Sequence, residues 1–283
     1  MNLKSVFNYC KETLMEEYGD SEAIAISKEL LAFHLNMRPS DISIKGHTTI
    51  NELDLEKIKS SISKLKQQIP LQYITEEAWF YNQKFKVTNA VLIPRPETEE
   101  LVAMCLNHYK QNHISILDIG TGSGCIPIIL DKHLANATVY STDISEAAIK
   151  IAKENNEGHK TNVAFIKADF LDEDNWQLLP ETNIIISNPP YIPLLQRKNM
   201  QPQVRDHEPA IALFVEDENQ LIFYEKIEKF ARRNLLSEGK IFLETHYNNA
   251  DEVLAIFNNN HFTATKHQDM SGNDRIIVAT LCR

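Results

Sequence analysis

The segment ILDIGTGSGCIPIIL, residues 116–130, combines the features of a strand, a tight turn and a helix. An apolar run ends at Ile119, three glycines follow at alternate positions, and a second apolar run starts at Cys125. Glycine allows the backbone to turn tightly and to approach a ligand closely. Ligands of open α/β sheets bind beyond the carboxyl ends of the strands. The segment therefore predicts an α/β fold with a binding site at this turn.

The alternation of apolar strands and helices continues along the chain after the turn. Short apolar strands between helices are typical of a parallel sheet that is covered on both faces. The last two predicted strands have no helix between them, so we expect one of them to be antiparallel. The predicted strands are residues 114–120, 137–143, 162–169, 183–188 and 240–245 with two closing strands, and the predicted helices are residues 125–134, 145–155, 221–236 and about 249–258.

The first 70 residues have a different, helical pattern. Apolar residues recur at intervals of three and four between Leu55 and Ile69, which is one stripe of an amphipathic helix. We therefore expect an N-terminal helical domain over residues 1–72 and a second domain over residues 73–283.

The segment AWFYNQKFKV, residues 78–87, lies between these two patterns. It carries aromatic residues on two short arms, and it predicts a β-hairpin that turns at Asn82 and Gln83. We expect this hairpin to link the helical domain to the α/β domain.

The net charge of the protein and its distribution along the sequence restrict the kinds of molecule that the protein can bind. The chain of 283 residues has a formal net charge of −10. Residues 1–89 contain 11 Lys and Arg against 12 Asp and Glu, whereas residues 90–283 contain 18 against 27. Nucleic-acid binding depends mainly on the neutralisation of phosphates. The acidic C-terminal part therefore argues against direct binding of nucleic acid.

Hydropathy and cysteine content predict the location. No apolar run approaches the roughly 20 residues that a membrane span requires, and the first twenty residues lack the apolar core of a secretory signal. The four cysteines are far apart, and neither a CxxC pair nor a cluster of histidines accompanies them. We expect no membrane association, no metal site and no disulfide framework, in a reducing cytoplasm.

The spacing of the glycines restricts the cofactor. They form G-x-G-x-G, whereas a dinucleotide fingerprint requires G-x-G-x-x-G, and the Gly-Lys-Ser/Thr of a phosphate loop is absent. Asp143 ends the next strand, where a carboxylate can accept both hydroxyls of a ribose. Asp169 and Phe170 end the third strand and offer an acceptor for an adenine amine and a ring for the base. A plain strand-to-helix turn is the alternative, but together these strand ends predict S-adenosylmethionine.

The segment SNPPYIP, residues 187–193, leaves an apolar strand through prolines, which hold the backbone extended. The side-chain oxygen of Asn188 and the carbonyl of Pro189 can accept the two N–H bonds of a planar amide or amine, so that its nitrogen faces a methyl donor. Tyr191 can lie against the planar group. The segment also has P-x-x-P spacing, which is typical of exposed proline-rich ligands. The segment directly follows a strand that is predicted to be buried, which favours a catalytic role over that of an exposed proline-rich ligand.

These segments together resemble the release-factor glutamine N5-methyltransferases, the HemK family. The resemblance covers most of the chain from about residue 68. It implies a seven-stranded Rossmann-like methyltransferase domain, a small N-terminal helical domain that recognises the substrate, and a β-hairpin linker. It also implies methylation of the glutamine in the Gly-Gly-Gln loop of bacterial peptide chain release factors. The segments that carry it are PLQYI, LIPRPETEELV, LDIGTGSG, SNPPYIP, VRDHEPAIAL and DMSGNDR.

The resemblance also assigns residues to the site. It implies that Asn188, Pro189, Pro190 and Tyr191 hold the glutamine, with the first, second and fourth of these in catalytic roles. Asp118 is expected to orient the glycine loop, and Arg95 and Glu97 are expected in the wall of the site. The implied cofactor contacts are Gly120, Thr121, Gly122, Ser123, Gly124, Asp143, Phe170 and Asn188.

Four positions depart from the family pattern. Glu76 replaces a glycine, and His207 replaces an aromatic residue before Glu-Pro. His246 and Asn249 stand at altered positions of a Glu-x-Gly-x-x-Gln segment. None of the four lies in the glycine loop or in Asn-Pro-Pro-Tyr, so we expect them to affect the fit of the substrate.

Three other functions share parts of this pattern. A glutamine methyltransferase acting on a ribosomal protein would have nearly the same core. An adenine amino-methyltransferase also uses Asn-Pro-Pro-Tyr, but it requires a basic track for nucleic acid, which the sequence lacks. A cofactor-binding adaptor without chemistry is difficult to reconcile with an intact Asn-Pro-Pro-Tyr.

Overall fold

The computed structural model describes residues 1–109 and 113–282. The chain forms two compact units. One contains Met1–Glu76 together with Gln201–His207, and the other contains Glu77–Met200 and Glu208–Arg283.

The N-terminal part of the first unit is helical, as the sequence predicts. Helix α1 has a non-helical residue at Gly19, where φ is 74°. The side chains of Asn2 and Asn51 accept hydrogen bonds from backbone N–H groups and cap α1 and α3. The apolar stripe of α3 packs into the core of this unit through Ile58 and Ile62. The helices are α1 (Leu3–Leu35), α2 (Pro39–Ile44), α3 (Glu52–Lys66) and α4 (Leu71–Thr75).

The predicted hairpin is present, with strands β1 (Glu77–Phe80) and β2 (Gln83–Lys86). Phe80 pairs with Gln83, so the two turn residues are Tyr81 and Asn82, both with positive φ. The prediction of a turn at Asn82 and Gln83 is wrong by one residue. The observed register places the rings of Phe80 and Phe85 diagonally, edge to face at 6.0 Å, instead of directly opposite each other.

The second unit contains a seven-stranded sheet in the order β10-β11-β9-β6-β3-β4-β5, which confirms the α/β prediction. The pairs from β9 to β5 are parallel, whereas β11 is antiparallel to both β9 and β10. The strands are β3 (Ile114–Ile119), β4 (Ala137–Asp143), β5 (Ala164–Lys167), β6 (Thr182–Ser187), β9 (Leu235–Glu244), β10 (Phe262–Gln268) and β11 (Asp274–Leu281), and two short strands, β7 (Ile192–Pro193) and β8 (Phe214–Val215), pair separately.

Helices cover both faces of this sheet. Ile184 and Ile186 of β6 face one apolar cluster and Ile185 faces the other, so the central strand is fully buried. The helices are α5 (Pro96–His108), α6 (Cys125–His133), α7 (Glu146–His159), α9 (Ala210–Leu213), α10 (Ile222–Asn234) and α11 (Ala250–Phe257), while α8 (Pro202–His207) belongs to the first unit. Among the described residues, no helix is long and apolar enough to span a membrane.

The topology determines where a ligand can bind. From β3 the chain adds β4 and β5 on one side, and it then returns to add β6 and β9 on the other side. The carboxyl ends of β3 and β6 therefore border the point at which the strand order reverses, which is the usual ligand site of such sheets.

Candidate active site

A cavity of about 510 Å³ lies in the second unit at the carboxyl ends of the parallel strands. Four consecutive strand ends contribute to its wall, as the sequence predicts. Of the predicted site residues, the lining includes Gly120, Gly122, Asp143, Phe170, Asn188 and Pro190. The other predicted site residues, Thr121, Ser123, Gly124, Pro189 and Tyr191, belong to the same turns but are not among the described lining residues.

The glycine loop has a left-handed backbone at each of its three glycines, with φ of 84°, 51° and 81°. A Cβ atom at Gly124 would lie 3.1 Å from the side chains of Ala152 and Ile128, so this glycine allows α6 and α7 to pack closely. A Cβ atom at Gly122 would meet no atom within 4 Å, so this glycine is required for its conformation. The loop is therefore shaped by its backbone.

Asp143 holds the loop from the neighbouring strand. Its carboxylate accepts hydrogen bonds from the N–H groups of Gly122, at 3.0 Å, and Ser145, at 2.8 Å. Burial raises the pKa of Asp143, and these backbone donors oppose the rise. Each carboxylate oxygen has a further lone pair, so Asp143 retains acceptor capacity towards the cavity.

Asp118 lies beneath the same loop and is completely buried. Its Oδ2 accepts a hydrogen bond of 2.6 Å from the hydroxyl of Ser141. Burial raises the pKa of Asp118 to about 7. The carboxyl group is not among the residues that line the cavity, and its role in orienting the loop stays a prediction.

Phe170 has one edge at the cavity and its body in the core. Only 4% of its surface is exposed, and its ring contacts Trp176 and Phe230 at centroid distances of 5.8 and 5.4 Å. The indole of Trp176 donates to the carbonyl of Phe170. Asp169 lines the same part of the cavity.

Asn188 is connected to three side chains that sequence reasoning did not assign to the site as a group. Its Nδ2 lies 3.0 Å from Oγ1 of Thr98, and the hydroxyl of Thr98 donates to Oε2 of Glu244 at 2.7 Å. The hydroxyl of Tyr191 lies 3.4 Å from Oε1 of Glu244. Burial and the nearby Glu244 raise the pKa of Tyr191, so its hydroxyl is a donor at neutral pH.

Thr98 and Glu244 were missed although both lie in segments that the sequence singled out. Thr98 follows the predicted wall residue Glu97, and Glu244 begins the altered ETHYNN segment. Both are nearly inaccessible, with 3% and 1% of their surfaces exposed. The signal for Glu244 was a glutamate directly after the apolar run Ile241–Leu243, whereas Thr98 stands between Glu97 and Glu99 and had no such signal.

A second buried glutamate connects two of the recognised segments. Glu208 forms an ion pair of 2.5 Å with Arg95, and its other oxygen accepts from the N–H of Ile93 at 3.3 Å. Arg95 thus braces the wall of the site through Glu208, which sequence reasoning also missed.

The four departures from the family pattern have local explanations. Glu76 ends α4 with φ of 55°, a conformation that favours glycine. His207 contacts the carbonyl of Gln67 at 3.0 Å, and Asn249 lies 3.5 Å from Gln220. None of the departures lines the described cavity.

His246 adds an aromatic ring beside Tyr191. It stacks on Tyr247 at a centroid distance of 4.4 Å and lies 5.9 Å from the ring of Tyr191. Its Nδ1 accepts from the N–H of Asn248, and burial lowers its pKa.

Among the described residues, no group of three or more His, Cys, Asp or Glu side chains could hold a metal ion.

Comparison with known proteins agrees with this architecture. Residues 5–75 match the PrmC N-terminal domain, and residues 98–204 match the methyltransferase small domain. A crystal structure of a methyltransferase from Pyrococcus furiosus has the same fold, with a TM-score of 0.50 and 14% identity over 80% of this chain and 96% of that chain.

Curated relatives extend the likeness to nearly the whole chain. The release factor glutamine methyltransferase of Flavobacterium psychrophilum is 37% identical over 88% of each chain. The protein of the same name from Bacteroides thetaiotaomicron is 36% identical over 96% of this chain and 97% of its own. The chain belongs to the release factor glutamine methyltransferase family.

Proposed function

We propose that this protein transfers a methyl group from S-adenosylmethionine to the side-chain amide nitrogen, N5, of the glutamine in the Gly-Gly-Gln loop of peptide chain release factors. Two findings support the proposal. Relatives with this name align over nearly the entire chain, and the cavity contains an oriented Asn188 at the end of β6.

The cavity suits S-adenosylmethionine in size and in chemistry. The loop from Gly120 to Gly124 allows close backbone approach, and the carboxylates of Asp143 and Asp169 are acceptors for the hydroxyls and the amine of an adenosine. Phe170 and the neighbouring apolar residues offer a surface for the base. When bound, this cofactor supplies a methyl group on a sulfonium.

The protein's contribution to the transfer is to position a weak nucleophile. An amide nitrogen has a delocalised lone pair, and acceptors on its two N–H bonds hold it in one orientation. Oδ1 of Asn188 and the carbonyl of Pro189 are these acceptors, and Pro190 and Tyr191 confine the planar group. Positioning of this kind contributes about 7–11 kcal/mol in well-oriented reactions, and fixed acceptors stabilise the positive charge that develops on the nitrogen.

The orientation of Asn188 is the observation that carries the proposal. Its NH₂ group is hydrogen-bonded to Thr98 inside the protein. The opposite end of the amide, Oδ1, is therefore the end that remains for a substrate. A group that only accepts matches a substrate nitrogen that only donates.

We further propose that the helical domain, residues 1–72, recognises the intact release factor, and that the protein acts in the cytoplasm, where release factors work on ribosomes. If the helical domain contributes in this way, an intact release factor is a better substrate than a peptide that carries only its Gly-Gly-Gln loop. Equal kcat/KM for the two substrates contradicts this role.

The function is tested by transfer of labelled methyl from S-adenosylmethionine to a purified release factor, a ribosomal protein and DNA, side by side. We expect label in the release factor, on its Gly-Gly-Gln glutamine. Label only in the ribosomal protein or only in DNA refutes the proposal. Asn188→Ala should lose turnover by about 10²–10³-fold, whereas Asn260→Ala, at an exposed asparagine that does not line the cavity, is the matched control.

A further inference from the structure

The side chains of Asn188, Thr98, Glu244 and Tyr191 form one continuous chain of hydrogen bonds. This hydrogen-bond chain joins the turn after β6 to the first turn of α5 and to the last residue of β9. Its two inner members are almost inaccessible to solvent, so water does not compete for their hydrogen bonds.

The chemistry of the four groups gives this chain a direction. When the carboxyl group of Glu244 is ionised it only accepts hydrogen bonds, so Thr98 and Tyr191 then donate to it. A threonine hydroxyl has a single proton. Once Thr98 has donated it to Glu244, the hydroxyl oxygen can only accept, and the group that donates to it is the NH₂ of Asn188.

We propose that Thr98 and Glu244 are positioning residues that fix the orientation of the Asn188 amide, with NH₂ towards Thr98 and Oδ1 towards the substrate nitrogen. The inference deepens the proposed function and rests on it. A flipped amide would direct N–H groups at the N–H bonds of the substrate and abolish the hydrogen bond that holds it. The Asn188 side chain alone does not distinguish the two orientations, because its oxygen and nitrogen ends have nearly the same shape.

The surroundings of Glu244 keep its carboxylate in place. The hydroxyl of Tyr224 lies 3.1 Å from the backbone carbonyl of Glu244. Arg275 of β11 acts on the carboxylate as a nearby positive charge, and its own Nε donates to Asp269 at 3.1 Å. The carboxylate is therefore held by the sheet at its backbone and by the hydrogen-bond chain at both oxygens.

The first test observes the Asn188 amide without any substrate. In protein labelled with ¹⁵N-asparagine, the side-chain signals of Asn188 are those that disappear in Asn188→Ala. We expect slow hydrogen exchange of these signals in the wild type and in Thr98→Ser, which keeps the hydroxyl. In Thr98→Val, which has nearly the same shape without a hydroxyl, we expect altered shifts and faster exchange. Unchanged Asn188 signals in Thr98→Val would overturn the inference.

The second test measures turnover and cofactor affinity separately. We expect Thr98→Val to lower kcat on the release factor by at least about tenfold, while the calorimetric Kd for S-adenosylmethionine changes by less than about threefold. Thr98→Ser should retain near-normal kcat. Equal kcat for Thr98→Val and the wild type contradicts the positioning role.

Glu244→Gln provides a further arm if Thr98→Val does not fold. A glutamine can donate to Thr98 as well as accept from it, so the direction of the chain is lost. We expect faster exchange of the Asn188 amide and a lower kcat in this variant; unchanged exchange overturns the inference. A wild type that does not label release factors refutes the proposed function, and the exchange measurements still decide the orientation of Asn188.

Discussion

Glu244→Gln should change how the stability of the protein depends on pH. The carboxyl group of Glu244 is 1% exposed, and burial raises its pKa from 4.5 to about 7. The hydrogen bond from Thr98 and the positive charge of Arg275 oppose this rise, Glu97 adds to it, and the hydrogen bond from Tyr191 opposes it. Relative to the unfolded chain, folding therefore favours the protonated acid, and the ionised carboxylate becomes the main form as the pH rises above about 7.

The sign and size of the effect follow from linkage. Between pH 4.5 and about 7 the folded state binds a proton at Glu244 that the unfolded state has released, so the free energy of unfolding falls as the pH rises. The contribution is fully present below pH 4.5 and is lost as the pH rises through about 7. A shift of about 2.5 pKa units, at about 1.36 kcal/mol each, amounts to about 3 kcal/mol.

Urea denaturation of the wild type and of Glu244→Gln between about pH 5 and pH 8 measures this contribution. We expect the stability of the wild type relative to the variant to fall by about 2.5 kcal/mol across this range, because the rest of the full effect lies below about pH 5. Asp118 is buried and also has a raised pKa, but it titrates in both proteins and cancels in the difference. Asp118→Asn is the matched control, because it removes its own titration and leaves that of Glu244. A difference that is independent of pH refutes the reasoning.

Three further outcomes follow from the same structure. Gly122→Val should weaken S-adenosylmethionine binding in calorimetry, because a β-branched residue is strained at φ of 51° in the wall of the cavity; Gly272→Val, with φ of 82° outside the cavity, should keep the affinity. Glu76→Gly should raise the free energy of unfolding by about 1 kcal/mol, because glycine adopts the positive φ of this position without strain. The control Glu77→Gly, within a strand, should lower the free energy of unfolding. A Glu76→Gly variant that is less stable than the wild type contradicts the role of the positive φ. Finally, kcat should rise with pH through about 7, since only an ionised Glu244 gives the hydrogen-bond chain its direction; a flat pH profile of kcat contradicts this.

Local patterns predicted the elements of the sheet well. The strands predicted at residues 114–120 and 137–143 agree with β3 and β4 to within one residue. Buried parallel strands are easy to predict because they appear in a sequence as short apolar runs. β9 begins at Leu235, earlier than the predicted residue 240, because Leu235 pairs with Thr182 before the register shifts. That pairing depends on a strand more than fifty residues away, and no local pattern contains it.

The sequence predicted where the site residues lie in the sheet better than it predicted what surrounds their side chains. Asp143, Phe170 and Asn188, which were chosen as strand ends, line one cavity because the carboxyl ends of parallel strands meet at one edge; their roles in binding stay predictions. The sequence did not show that the ring of Phe170 lies mostly in the core. It also did not show that Thr98 and Glu244, far apart in the chain, meet beneath Asn188, because periodicity reports which face a residue occupies and not its partner on another element.

The buried carboxyl group of Glu244 joins the energetics of the fold to the proposed chemistry. An apolar side chain at the end of β9 would avoid the cost of ionising a carboxyl group in the core, which is about 3 kcal/mol higher in the folded state than in the unfolded chain. An apolar side chain would also leave Thr98 free to donate to Asn188, and the amide could then present either end to the substrate. An ionised carboxylate, which only accepts hydrogen bonds, takes the proton of Thr98 and so leaves the Asn188 amide a single orientation. On this argument the protein keeps a destabilising carboxylate because the orientation of Asn188 depends on it, and variants that relieve the cost should be more stable at pH 8 and slower in turnover.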